Sequence, residues 1–248
     1  MSLYQQEYFM EGIFETDYAS IANIISKTYN PRTIVEFGCG PGHLTRELSK
    51  LNINVTAMDG FSHPDFSNFE NITFSKVDLN DARALSDFLN GRKFDLAICT
   101  EVAEHLENSS SDHLVESLTH SAPVVIFSAA VPGQLGHGHI NCQTRGFWHA
   151  LFTSQNFHLA DSIRKHLRNN ESMALWYKLN LLDYVAVNHN KSISPDQTIA
   201  NLIESESYSS SCFYKMNNEN AKNAAYLNYP LVKQYFQLRK LIKRVAKR

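Results

Sequence analysis

The sequence predicts an α/β protein with a doubly wound, mostly parallel seven-stranded sheet and a helical tail at its C-terminal end. Three observations carry this expectation. Short apolar runs alternate with segments long enough for crossover helices, a glycine-rich turn follows the first run, and the last twenty residues join an apolar stripe to a cluster of cations.

Taken in order, Ile21, Ile24 and Ile25 recur at helical spacing within 16–29 and stop before Pro31, so a helix leads into the first strand. Strands are expected at Thr33 to Phe37, Ile53 to Met58, Ile72 to Val77, Phe94 to Cys99 and Pro123 to Phe127. Continuous apolar runs of this length suit parallel strands covered on both faces. Two further runs, Phe157 to Ile163 and Leu181 to Val187, complete the seven, the last pairing antiparallel at the sheet edge. The expected organisation is a catalytic domain over 1–187, a polar Asn-, Ser- and Lys-rich linker over 188–228, and a basic amphipathic helix over 229–248.

At 248 residues and 43% hydrophobic, the chain can bury one full α/β core. No stretch approaches the roughly 18 to 20 apolar residues that cross a bilayer. Cys39, Cys99, Cys142 and Cys212 show no CxxC or zinc-like spacing and no secretory leader precedes them, which points to reduced thiols in the cytoplasm. The net charge of −2 hides an asymmetry, because seven of the 23 Lys and Arg residues and none of the 25 acids fall in 229–248. A tail of that kind suits an anionic membrane surface, such as the inner face of the cytoplasmic membrane, with RNA phosphates or a second subunit as alternatives.

The sharpest local signal is Glu36-Phe37-Gly38-Cys39-Gly40-Pro41-Gly42, where the first strand turns into the next helix. Ligands of open α/β sheets bind at this carboxyl edge, and glycines let the backbone approach them closely. The spacing is GxGxG with an acid two residues ahead, not the GxGxxG of dinucleotide folds. Asp59 with Gly60 ends the second strand, Asp78 with Leu79 the third, and Glu101 with Val102 the fourth.

This ordered set resembles the class I S-adenosylmethionine-dependent methyltransferases, over about residues 31–187. The resemblance implies a Rossmann-like fold and the cofactor S-adenosylmethionine. It assigns Glu36, Gly38, Cys39, Gly40 and Gly42 to the loop around it, Asp59 and Gly60 to the ribose, Asp78 and Leu79 to the adenine, and Glu101 to the methionine end. Farther on, Glu101-x-x-Glu104-His105 is similar to the pattern of ubiquinone-pathway O-methyltransferases and small-RNA 2′-O-methyltransferases, whose residues hold a divalent cation. If the segment is helical, the three side chains share one turn. Glu101, Glu104, His105 and His139 are then candidate ligands for Mg²⁺ or another divalent cation. His105, His139 and Glu104 are the candidate catalytic groups, with His137 as a fallback; a metal-free base or a structural histidine are the competing readings. A metal would lower the pKa of a bound hydroxyl and fix its position. The Gly138-His139-Ile140-Asn141 segment resembles sugar-methylating relatives, which implies a hydroxyl acceptor on a sugar or glycan precursor. Arg145, Trp148 and His149 are expected to help shape its pocket. An RNA 2′-hydroxyl, or a non-catalytic cofactor-binding scaffold, are the alternatives.

Overall fold

The computed structural model describes residues 15–189 together with Lys215, Asn217 and Asn218. Most of the expected linker and all of the expected tail helix, Tyr229 to Arg248, lie outside the described residues.

The first helix, α1 (Tyr18–Tyr29), is started by Asp17, whose carboxylate accepts a hydrogen bond from the Ser20 amide at 2.9 Å. It ends at left-handed Asn30, directly before Pro31. Then follow β1 (Thr33–Phe37), α2 (His43–Lys50), β2 (Asn54–Asp59) and β3 (Ile72–Lys76). Next come α3 (Ala82–Leu89), capped by Asp81, β4 (Leu96–Thr100), α4 (Ser111–Ser121) and β5 (Val124–Ser128). The remaining elements are α5 (Arg145–Ser154), β6 (Phe157–Leu159), α6 (Arg164–Leu167), α7 (Leu175–Asn180) and β7 (Leu182–Ala186). The strand order is β3-β2-β1-β4-β5-β7-β6, parallel except for β7, which runs antiparallel to both of its neighbours.

The central strands bury both faces, and their residues alternate between two cores. In β4, Leu96 and Ile98 face α1, α2 and α7, whereas Ala97 and Cys99 face α4 and α5. In β5, Val124 and Ile126 share the first side and Val125 and Phe127 the second. A period of two with apolar residues at every position is what a strand covered on both faces requires. The second core is closed by Phe152 of α5, stacked on Tyr184 of β7 with ring centroids 4.0 Å apart.

Two expectations about the last strands need correction. The antiparallel strand β7 lies inside the sheet, and it is β6 that forms the edge. The run from Phe157 is also strand only as far as Leu159, because Asp161 turns the backbone at φ 47° and the amides of Ser162 and Ile163 donate to Asp183. Asp183 is fully buried and also accepts a hydrogen bond from the Tyr29 hydroxyl. One β7 carboxyl therefore ties the end of α1 and the loop before α6 to the sheet, and Ile163 belongs to the core beneath that loop. Cys39, Cys99 and Cys142 are free thiols. Among the described residues no helix is long and apolar enough to cross a membrane.

Candidate active site

The carboxyl ends of β1, β2 and β4 open into one cleft holding about 920 Å³ of space, its mouth included. Its place at the carboxyl edge of the sheet is where open α/β folds bind ligands. Nine of the ten residues assigned to the cofactor line it: Glu36, Gly38, Cys39, Gly40, Asp59, Gly60, Asp78, Leu79 and Glu101. Gly42 sits behind the wall as the N-cap of α2, and a Cβ there would meet the Phe66 ring at 2.4 Å. It has no room for a side chain there. Gly38 is pressed on the opposite side, where an added Cβ would lie 2.5 Å from a Val102 methyl at φ +75°.

The acids around the loop have different settings. Asp59 accepts hydrogen bonds from the amides of Gly40, Phe61 and Ser62 at 2.7 to 2.9 Å, so the end of β2 fixes the glycine loop after β1. Asp78 accepts from the Asn80 amide, and Asp81 caps α3, so this segment is both a cleft wall and a helix start. Glu36 is buried, with the Thr45 hydroxyl donating to it at 2.6 Å. Burial pushes its pKa up to about 8, the Asp59 charge adding to the rise and the Thr45 bond opposing it.

Three further lining residues, Tyr18, His43 and Tyr177, escaped the sequence reading. Tyr18 of α1 stacks on His43 of α2 with centroids 5.4 Å apart, and burial raises its hydroxyl to about 12. They come from three helices with no common motif. The only sequence hint was that Tyr18 begins the helix and His43 immediately follows the glycine loop.

The Glu101, Glu104 and His105 side chains do not share a helical turn as expected. Glu101 has φ +53°, and the chain then tightens into a single 3₁₀ turn at Ala103–His105. That turn puts Glu104 and His105 against His139 from the loop after β5, with ligating atoms of all three within 4.8 Å of one another. Glu101 stands outside this group and receives a hydrogen bond from Gln134. His137 is exposed and is not in the group.

The His139 Nδ1 faces the Gln134 carbonyl at 3.1 Å and the His105 Nδ1 faces the Gly138 carbonyl at 3.4 Å. A carbonyl only accepts, so both rings carry the proton on Nδ1 and leave an Nε2 lone pair. Burial lowers both pKa values, that of His105 to about 4, which keeps both rings neutral at pH 7. Gly136 is flush with His139, where an added Cβ would meet the ring at 2.2 Å. Glu104 is wholly buried, and burial followed by the Glu101 charge raises it well above the carboxylate range. A carboxyl without well-formed hydrogen bonds, beside two neutral imidazoles, fits either a divalent cation or a bound proton.

Arg145, Trp148 and His149 do not line the cleft. Trp148 packs on Phe127 with centroids 5.1 Å apart, His149 lies beside Tyr184, and Arg145 is buried against the end of α7. The α5 helix turns Trp148 into the core and buries Arg145, while His149 stays half-buried, so none of the three stands on the cleft wall.

Comparison with known proteins agrees with this arrangement. A family model described as a methyltransferase domain matches residues 16–123. The ubiquinone biosynthesis O-methyltransferase of Rickettsia conorii is 34% identical over 99 residues, covering 38% of this chain and 32% of the relative. That of Rickettsia canadensis is 36% identical over 107 residues, covering 41% and 40%. The chain thus spans about a third of the length of these curated relatives. Streptomyces venezuelae DesVI shares the fold at a TM-score of 0.51 and 13% identity, over 73% of this chain and 96% of that one. A Burkholderia thailandensis 1,6-didemethyltoxoflavin-N1-methyltransferase does so at 0.51 and 16%, over 73% and 82%. The strand order is that of a doubly wound α/β fold with one reversed strand. Over residues 16–123 the chain thus resembles a methyltransferase domain, set in a seven-stranded sheet like that of the class I S-adenosylmethionine-dependent enzymes.

Proposed function

We propose that this protein is an S-adenosylmethionine-dependent O-methyltransferase. One observation carries the reading: the cleft lined by the glycine loop and Asp59 also bears His105 on its wall, and His105 is grouped with His139 and Glu104. S-adenosylmethionine supplies a methyl group on an excellent leaving group, so the chain has only to align the acceptor and manage one proton. Asp59 accepts from ribose hydroxyls, Asp78 and Leu79 flank the adenine, and Glu101 faces the methionine end. The Nε2 of His105 or His139 is unprotonated and takes the hydroxyl proton.

Glu104, His105 and His139, with Glu101 beside them, are the residues that would hold a divalent cation. Such an ion would supply Lewis-acid activation of the hydroxyl. For the acceptor, the loop Gly136–Asn141 supports a sugar or glycan precursor by its likeness to sugar-methylating relatives. A second reading, a hydroxyl on an apolar body, is favoured by Leu135 and Ile140, which are 74% and 66% exposed on the same loop. The relatives from Rickettsia are named ubiquinone biosynthesis O-methyltransferases, which supports this second reading. The RNA reading depends on the basic tail, which lies outside the described residues. We assign the tail to an anionic membrane surface, on the cytoplasmic side.

The test is calorimetric titration of S-adenosylhomocysteine with Mg²⁺, Mn²⁺ or chelator, followed by methyl transfer to vicinal-diol sugars and to phenols. Micromolar binding and transfer to one acceptor class are expected. No binding under any condition would overturn the reading.

A further inference from the structure

A buried line of polar side chains runs from α7 and α5 to the cleft. Arg145 Nη2 donates to Asn180 Oδ1 at 2.8 Å, and Asn180 Nδ2 donates to Gln134 Oε1 at 2.8 Å. Gln134 Nε2 then donates to Glu101 Oε2 at 3.1 Å. The direction of this line follows from chemistry. Guanidinium has only donors, so Asn180 must turn its oxygen to Arg145 and its amide to Gln134, which in turn must present its own amide to Glu101. Arg145, Asn180 and Gln134 are each at most 6% exposed, so water does not substitute for these bonds.

Gln134 is also a branch point. Its carbonyl accepts from His139 Nδ1, so its main chain orients one member of the candidate catalytic group while its side chain orients Glu101. These two residues come from different loops, after β5 and β4. Glu101 needs such a hold, because its left-handed backbone is one that a glutamate rarely adopts without being over-determined by its surroundings.

We infer that Gln134 is a positioning residue, oriented by Asn180 and Arg145, that fixes the Glu101 carboxylate in the cofactor cleft. The inference rests on the proposed cofactor reading. None of the three side chains lines the cleft, and the hydrogen bond from Gln134 to Glu101 is the direct link from this line to its wall. Gln134→Met keeps the reach and removes the donor. Asn180→Asp still accepts from Arg145 but, as a carboxylate, gives nothing to Gln134.

The experiment uses the full chain and measures S-adenosylhomocysteine affinity by calorimetry alongside the thermal melt. Both variants should melt as cooperatively as the wild type and bind about ten- to a hundredfold more weakly, the scale on which residues that orient metal ligands act. Arg145→Lys, which keeps a buried donor to Asn180, should retain affinity that Arg145→Met loses. Where Gln134→Met fails to fold, Asn180→Asp decides. Folded variants with wild-type affinity would overturn the positioning role. Failure of the wild type itself to bind would instead overturn the cofactor reading, so the two failures are distinguishable.

Discussion

Replacing Glu36 by Gln should remove a pH-dependent weakness of the cofactor-free fold. The wild-type carboxyl is raised from 4.5 to about 8, chiefly by burial. A group whose folded pKa is raised contributes stability that is complete below its unfolded pKa and is lost as pH climbs through the folded one. The window is therefore about pH 4.5 to 8. Each pH unit inside it costs about 1.4 kcal/mol, so between about pH 5.5 and 8 the wild type should lose roughly 3 kcal/mol through this one group. Gln fills the same space and its carbonyl oxygen still accepts from Thr45, but it carries no proton to lose. Glu101 and Glu104 titrate in both proteins and cancel in the comparison. Urea unfolding of the two proteins at the two pH values measures the difference directly. The wild type should fall relative to Glu36→Gln as pH rises. Parallel pH dependence would refute the account, because it would mean that Glu36 does not carry the proton that burial assigns to it.

Two glycines of the same loop should fail in different ways. Gly38→Ala forces a methyl into Val102 and should lower the thermal midpoint, whereas Gly40→Ala meets no protein atom within 4 Å. The Gly40→Ala variant should fold at a cost of only about 1–2 kcal/mol of backbone strain. It should still lose at least about tenfold in S-adenosylhomocysteine affinity, since its methyl stands on the cleft wall. Phe152→Ala removes the ring stacked on Tyr184 and should cost about 3–5 kcal/mol in urea unfolding. Its cofactor affinity should not change.

The parallel core was legible in the sequence because strands buried on both faces are apolar at every position, as at Leu96 to Cys99 and Val124 to Phe127. That the GxGxG loop and Asp59 meet at one cleft was legible because tight backbone geometry at the strand ends restricts the residue types there. What failed depended on distant partners. Ile163 looked like strand, yet its amide goes to Asp183, twenty residues later. The turn at Glu101 was invisible because nothing in the residue announces a left-handed backbone. Trp148 has the chemistry of a pocket residue, and only the rotation of α5 shows that it faces the core. Tyr177 lies on a six-residue helix that periodicity cannot detect.

The position of β7 fixes an order of assembly. During synthesis β6 emerges more than twenty residues before the strand that it pairs with, and it has no other neighbour in the sheet. Its hydrogen-bonding edge and Phe157 must wait until Leu182 to Ala186 leave the ribosome and slip in beside β5. The parallel strands from β3 to β5 can come together while translation continues. Asp183 arrives last, as the latch for loops already made. A nascent chain stopped just before residue 182 would hold the whole glycine loop yet present two open strand edges, at β5 and β6, to whatever chaperone or neighbouring chain lies nearby.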